Sequence, residues 1–107
     1  MEHRLKRQRD FDLVFKKGKR AFTGAVAMYY VDNVKSAVKI GISVSKKHGS
    51  AVQRNRIKRL LRAAYIPLIP QITKNAYIVF VPRVRESYEF SEIAKSVGFL
   101  LKKENFL

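Results

Sequence analysis

Between Lys46 and Arg62 the chain carries Lys46, Lys47, Arg54, Arg56, Lys58, Arg59 and Arg62, with no acidic residue among them. Cations at this density, with Asn55 set between two arginines, suit the binding of a polyanion. Guanidinium forks hold phosphate bidentately, and a carboxamide reads a base edge or a sugar hydroxyl. Groups for hydrolysis by the protein itself are scarce. The histidines are His3, at the N-terminus, and His48, which has no carboxylate near it in sequence to orient it as a base. His48 is expected at the surface or facing phosphate. No Gly-rich nucleotide loop, zincin pattern or spaced carboxylate set for a two-metal nuclease occurs. The protein alone is expected to catalyse nothing.

The element that presents these cations is a helix. Ser50 followed by Gln53 is a capping-box pair, which satisfies orphan amides at a helix start. The helix should run to about Tyr65, and Pro67, lacking an amide donor, should stop it. At 100° per residue, Gln53, Ile57, Leu60, Leu61 and Ala64 share one side, while Asn55, Lys58, Arg59 and Arg62 share the other. Arg54 and Arg56 lie on the flanks. One face docks on a core and the other faces outward. A solvated basic face is the plain alternative, but such faces usually interleave Glu at helical spacing, and none is present. Lys46 and Lys47 precede the helix N-terminus, where free amides already favour an anion.

The whole chain agrees with this one-sidedness. Its 107 residues suffice for a single domain, 1–107, and a hydrophobic content of 47% argues against disorder. The 23 Lys plus Arg against 8 Asp plus Glu give a net charge of +15, and no carboxylate side chain falls between Asn33 and Arg85. Salt-dependent binding to nucleic acid is the expectation. There is no Cys, so disulfides and thiolate metal sites are excluded. No signal-peptide pattern or membrane-length apolar run is seen, and a cytoplasmic location without membrane attachment is expected.

Along the chain, residues 1–9 read as a mobile basic arm. Phe11, Val14 and Phe15 at helical spacing predict a short helix over residues 10–17, ended by Gly18. Residues 25–31 predict a strand with Val26, Met28 and Tyr30 on one face and Ala27, Tyr29 and Val31 on the other. Val38, Ile40, Ile42 and Val44 alternate with Lys39, Gly41, Ser43 and Ser45, a strand whose Gly and Ser face is low enough for something bulky to lie over it. After the basic helix, residues 66–75 read as a loop. Residues 77–81 are continuously apolar, as in a strand covered on both sides, and Pro82 ends it. Residues 90–103 predict a helix with Ile93, Val97, Leu100 and Leu101 as its apolar stripe, weakened somewhat by Gly98. The class is α+β, a small mixed sheet packed with helices in the order α-β-β-α-β-α, with a parallel strand pair joined through the basic helix. The general expectation for such a crossover is right-handed.

Phe11, Phe15 and Tyr29 lie close in sequence to basic residues. Aromatic faces over a positive groove hold single-stranded nucleic acid by stacking. Core packing is the commoner role of a single Phe, and the open Gly and Ser face of the second strand favours the cleft.

The run through Gly41, Ser45, Lys46, Lys47, Gly49, Ala51, Val52, Arg54, Asn55, Arg56, Lys58, Arg59 and Arg62 resembles the signature of the bacterial ribonuclease P protein subunit. RLKRQRDFDLVFKKGKR near the N-terminus and YIVFVPR before the last helix resemble that family too. The resemblance implies an accessory protein of a ribozyme, with a ribosomal-protein-S5-domain-2-like fold whose βαβ crossover is left-handed, against the general expectation. It implies that the RNA subunit, with Mg2+, performs the hydrolysis that removes the 5′ leader from precursor tRNA, and that the protein needs no cofactor or nucleotide of its own. Carried over by position, Lys46, Lys47, Arg54, Asn55, Arg56, Lys58, Arg59 and Arg62 would face the ribonuclease P RNA. Phe11, Phe15 and Tyr29 would line a cleft for the precursor tRNA leader. Charge and size alone also allow a small ribosomal protein or RNA chaperone, and a stand-alone nuclease is the third reading.

Overall fold

The central run Ala76–Pro82 is apolar because it is covered on both sides, and it pairs with a strand on each edge. In the computed structural model, which describes residues 3–107, the order is α1 (Gln8–Lys17), β1 (Lys19–Phe22), β2 (Val26–Asp32), β3 (Lys39–Ile42), α2 (Ala51–Tyr65), β4 (Ala76–Pro82) and α3 (Phe90–Lys103). The strands form one sheet in the order β1-β2-β4-β3. β2 pairs antiparallel with β1 and β4, and β3 pairs parallel with β4 through the α2 crossover, as the sequence predicts.

The two faces of the sheet are covered differently. Val26, Met28, Tyr30, Ile40, Ile78 and Phe80 pack against Ile57 and Leu61 of α2 and Ile93, Val97, Leu100 and Leu101 of α3, forming the main core. On the other face, Val79 lies under Leu5 and Val14, flanked by Phe11, Tyr29, Val31, Tyr77 and Val81. Apolar area removed from water drives both, at about 25 cal/mol per Å². The main core sits under α2 and α3. Along β2 the predicted alternation holds, with Met28 buried and Tyr29 half-buried.

Three expectations need correction. The N-terminal arm is not loose: among its described residues, Leu5 is buried, its N–H donates to the Ile40 carbonyl at 3.1 Å, and the Ile40 N–H donates to the His3 carbonyl at 2.8 Å. It extends the sheet beyond β3 because an edge strand's free backbone groups need partners. Residues 1 and 2 of that arm lie outside the described residues. A strand the sequence did not predict, β1, pairs with β2 across a turn in which the Thr23 hydroxyl accepts the N–H groups of Ala25 and Val26. Finally, Pro67 does not open a loop. It sits in the first turn of a 3-10 helix, Ile66–Gln71, where its missing donor costs nothing.

Gly18 ends α1, though not through a left-handed conformation: its φ is −78°. A β-carbon there would meet the Val14 carbonyl oxygen and stand 2.7 Å from that of Tyr30, so close backbone approach is what demands glycine.

Candidate nucleic-acid interface

Two successive capping devices aim α2. The Ser50 hydroxyl accepts the Gln53 N–H at 3.3 Å and the Gln53 side chain accepts the Ser50 N–H at 3.0 Å, the predicted capping box. Just before it, residues Lys46–His48 form a short 3-10 turn in which the Ser45 hydroxyl accepts the Lys47 N–H. Gly49 joins the two at φ 114°, a conformation side chains rarely adopt. Lys46 and Lys47 are left exposed on the outside of this corner.

His48 is not a surface residue. It is 8% exposed, its Nδ1 accepts the Ser45 N–H at 3.0 Å, and its Nε2 lies 2.7 Å from the Pro82 carbonyl, to which it donates. With both ring nitrogens engaged by backbone, this imidazole pins the lysine corner to the end of β4. Neither ring nitrogen is left free to meet a phosphate or to move a proton.

Along α2, Ile57, Leu61 and Ala64 are buried and Leu60 is half-buried, while Asn55, Arg56 and Arg59 are exposed. Gln53, predicted on the core side, is exposed, because the first turn of the helix overhangs the core. Lys58 and Arg62 are half-buried at the margins. Arg62 lies near enough for its charge to act on the phenol of Tyr65, whose ring stacks on Phe80 at 5.8 Å. Burial pushes the Tyr65 phenol up, and the positive charges of Arg62 and Arg4 oppose that shift. Arg54 is also half-buried, and its Nε has no hydrogen-bond partner.

A groove runs beside α2. Gln8, Phe11 and Phe15 of α1 form one wall, Ile42, Ser43 and Val44 its floor, and Lys58 the other wall. Val44 and Lys58 continue it into a recess with Ala51, Arg54 and Asn55. The face of β3 that reads as open in the sequence is covered at Gly41 by the chain's own Phe11 ring. Phe15 is 42% exposed and meets Tyr29 edge to face at 5.0 Å. Phe11, Phe15 and Lys58 thus line one cleft, which Tyr29 adjoins through the Phe15 ring without lining it, and Arg59 and Arg62 lie further along the same helix. On the opposite flank, a cavity of about 230 Å³ is lined by Lys47, Gln53, Arg56, Arg85, Glu86 and Tyr88. Nothing in the sequence points to Arg85 there, since it stands 29 positions after Arg56. Its charge is partly compensated by Glu92 at 2.6 Å.

Among the described residues no group of three or more His, Cys, Asp or Glu could hold a metal ion, and no helix is long and apolar enough to cross a membrane. A cationic helix beside an aromatic-walled groove on a small α+β scaffold defines a basic RNA-binding protein. The ribonuclease P family model matches residues 1–105, and the chain belongs to that family. The ribonuclease P protein component of Streptococcus pyogenes serotype M5 is 32% identical over 105 residues, covering 98% of this chain and 88% of that protein. Among solved structures, the ribonuclease P protein of Staphylococcus aureus superposes with a TM-score of 0.87 at 30% identity, covering 99% of this chain and 98% of that one. That of Thermotoga maritima gives 0.82 at 31% identity, covering 94% and 96%.

Proposed function

We propose that the chain, as one domain of residues 1–107, is the protein subunit of a cytoplasmic ribonuclease P. In this reading it helps an RNA subunit remove the 5′ leader from precursor tRNA. The RNA and its bound Mg2+ supply the hydrolysis; this chain supplies grip. Lys46, Lys47, Arg54, Asn55, Arg56, Lys58, Arg59 and Arg62 hold the RNA subunit, and the single-stranded leader lies in the groove against Phe11, Phe15 and Tyr29.

The observation that carries this reading is the shared wall. Lys58 stands on the cationic helix and also closes the groove opposite Phe11 and Phe15. A strand seated there would meet stacking surfaces on one side and a phosphate-seeking ammonium on the other. Stacking is worth about 1–3 kcal/mol per base and tolerates any sequence. Such a site holds a leader without reading it, which suits a substrate class whose leaders differ. It acts on binding rather than on the bond being broken, so the benefit should be greatest where Mg2+ is too scarce to hold the substrate on the RNA alone.

The test is reconstitution with the family's RNA subunit and a precursor tRNA at low magnesium. Improved cleavage and tighter binding of precursor than of mature tRNA are expected. Equal affinity for arbitrary RNAs, with no effect on cleavage, would instead favour a general RNA chaperone.

A further inference from the structure

The aromatic surface does not end at Tyr29. In the β1/β2 register Arg20 stands opposite Tyr29 and Phe22 opposite Ala27, so all four project from the sheet face that carries the groove. α1 crosses only part of that face. Beyond Phe15 it leaves half-buried Ala27 and Val81, cross-strand neighbours, as a shallow apolar floor. At the far side of this floor Phe22 is 57% exposed, and the Arg83 guanidinium lies over its ring at 5.5 Å from the centroid. Arg83 is held there by its own N–H, which donates to the Ala25 carbonyl at 2.9 Å.

A large ring exposed to this degree at the end of an edge strand buries little apolar area, so the fold gains little from having phenylalanine there. Its neighbours Arg20 and Arg83 make the patch cationic as well as aromatic, the pairing that suits a base and its phosphate. Phe22 is diagonal to Tyr29 across adjacent strands, a separation of about 7–8 Å, short enough for one extended chain to touch both.

We propose that Phe22 and Arg83 form an outlying stacking station for the same single strand that occupies the groove, taking a leader nucleotide farther from the cleavage site than those at Phe11, Phe15 and Tyr29. This rests on the reading of the groove as the leader site. The strand leaves the groove past Phe15 and Tyr29 and crosses the Ala27 and Val81 floor. Its next base lies on Phe22, with Arg83 and Arg20 beside the phosphates.

The experiment measures equilibrium binding of precursor tRNAs with progressively longer unpaired leaders to the reconstituted holoenzyme, using wild-type protein, Phe22→Ala, Phe22→Trp and Phe15→Ala. Wild-type affinity should rise in two stages with leader length. Phe22→Ala should match wild type on short leaders and lose about tenfold on long ones, and Phe22→Trp should keep the second stage. Phe15→Ala should already lose affinity at the first stage. If Phe15→Ala is leader-dependent and Phe22→Ala is not, the outlying station is wrong while the groove stands. If neither variant depends on the leader, the groove reading falls with it. A Phe22→Ala loss that is equal for mature tRNA, or that accompanies a change in self-association by sedimentation, also overturns the proposal, the latter by making the patch a contact between copies.

Discussion

The Phe11 ring rests on the backbone of Gly41 so closely that a β-carbon at Gly41 would stand 2.5 Å from Phe11 Cζ. The missing side chain of one residue therefore sets the position of the other, and with it one wall of the groove. Gly41→Ala should push the ring outward without touching any charge or any helix contact of α2. Overpacking of this kind costs about 1–3 kcal/mol. We expect a modest loss of stability in urea unfolding and a selective loss of affinity for leader-bearing tRNA, with binding to the RNA subunit retained. Unchanged leader affinity in the folded variant would show that the ring's position is unimportant.

Arg59 and Arg62 share the outer face of α2 in sequence but not in environment. Arg59 is exposed, so Arg59→Ala should weaken assembly with the RNA subunit and lower the slope of log affinity against log salt by about one phosphate contact. Arg62 is half-buried and its charge acts on the buried Tyr65, so Arg62→Ala should do the same and in addition destabilise the free protein by about 1 kcal/mol through lost packing and charge contact. Salt titrations of assembly, paired with unfolding curves of the free variants, separate the two. Equal stability of both variants would mean that the Tyr65 contact contributes nothing.

His48→Ala should be a stability variant and not a catalytic one. It leaves the Ser45 N–H and the buried Pro82 carbonyl without their partner, at about 1–3 kcal/mol for the buried group left unpaired. Freed from β4, the corner that carries Lys46 and Lys47 should loosen, and RNA-subunit affinity should fall with it. At saturating protein and magnesium, cleavage by the holoenzyme should be unchanged. A turnover defect under those conditions would place His48 in the chemistry.

How far the sequence reaches depends on whether a signal is periodic or pairwise. α2 and α3 were legible because their apolar stripes repeat over several turns and Ser50 with Gln53 marks a start; β4 was legible because burial on both faces leaves a continuous run. β1 was not, since only Ala21 of its four residues points into the core and no period can be read from one residue. The arm was misjudged for a related reason. Backbone hydrogen bonds to β3 and the buried side chain of Leu5 help to hold it, while its composition shows mostly charge. His48 illustrates the limit most sharply, because the group that fixes it, the Pro82 carbonyl, lies 34 residues away and has no side-chain signature. In the groove, the roles of Phe11 and Gly41 were half visible: an open face was readable, but not that a ring of the same chain lies over it.

At the opposite side of the sheet, Tyr30 ties the body of the protein to its C-terminal turn. Its hydroxyl donates to Glu104 at 2.5 Å, and its ring meets Phe106 edge to face at 5.1 Å. Burial first, and then the hydrogen bond to Glu104, push the phenol from its ordinary 10.0 up to about 12. The folded protein therefore holds this proton more tightly than the unfolded chain does. By linkage, the stability this confers is complete below about pH 10 and is lost as pH rises from there through about 12. Tyr65, raised by burial, contributes in the same direction. Tyr30→Phe should lower stability near neutrality by about 1–3 kcal/mol, because a hydrogen bond to a charged group is lost. It should also flatten the alkaline decline, because the variant has no proton to release at that site. Urea unfolding across that pH range in both proteins checks this. Parallel alkaline declines would mean that Tyr30 titrates as freely in the folded protein as in the unfolded chain.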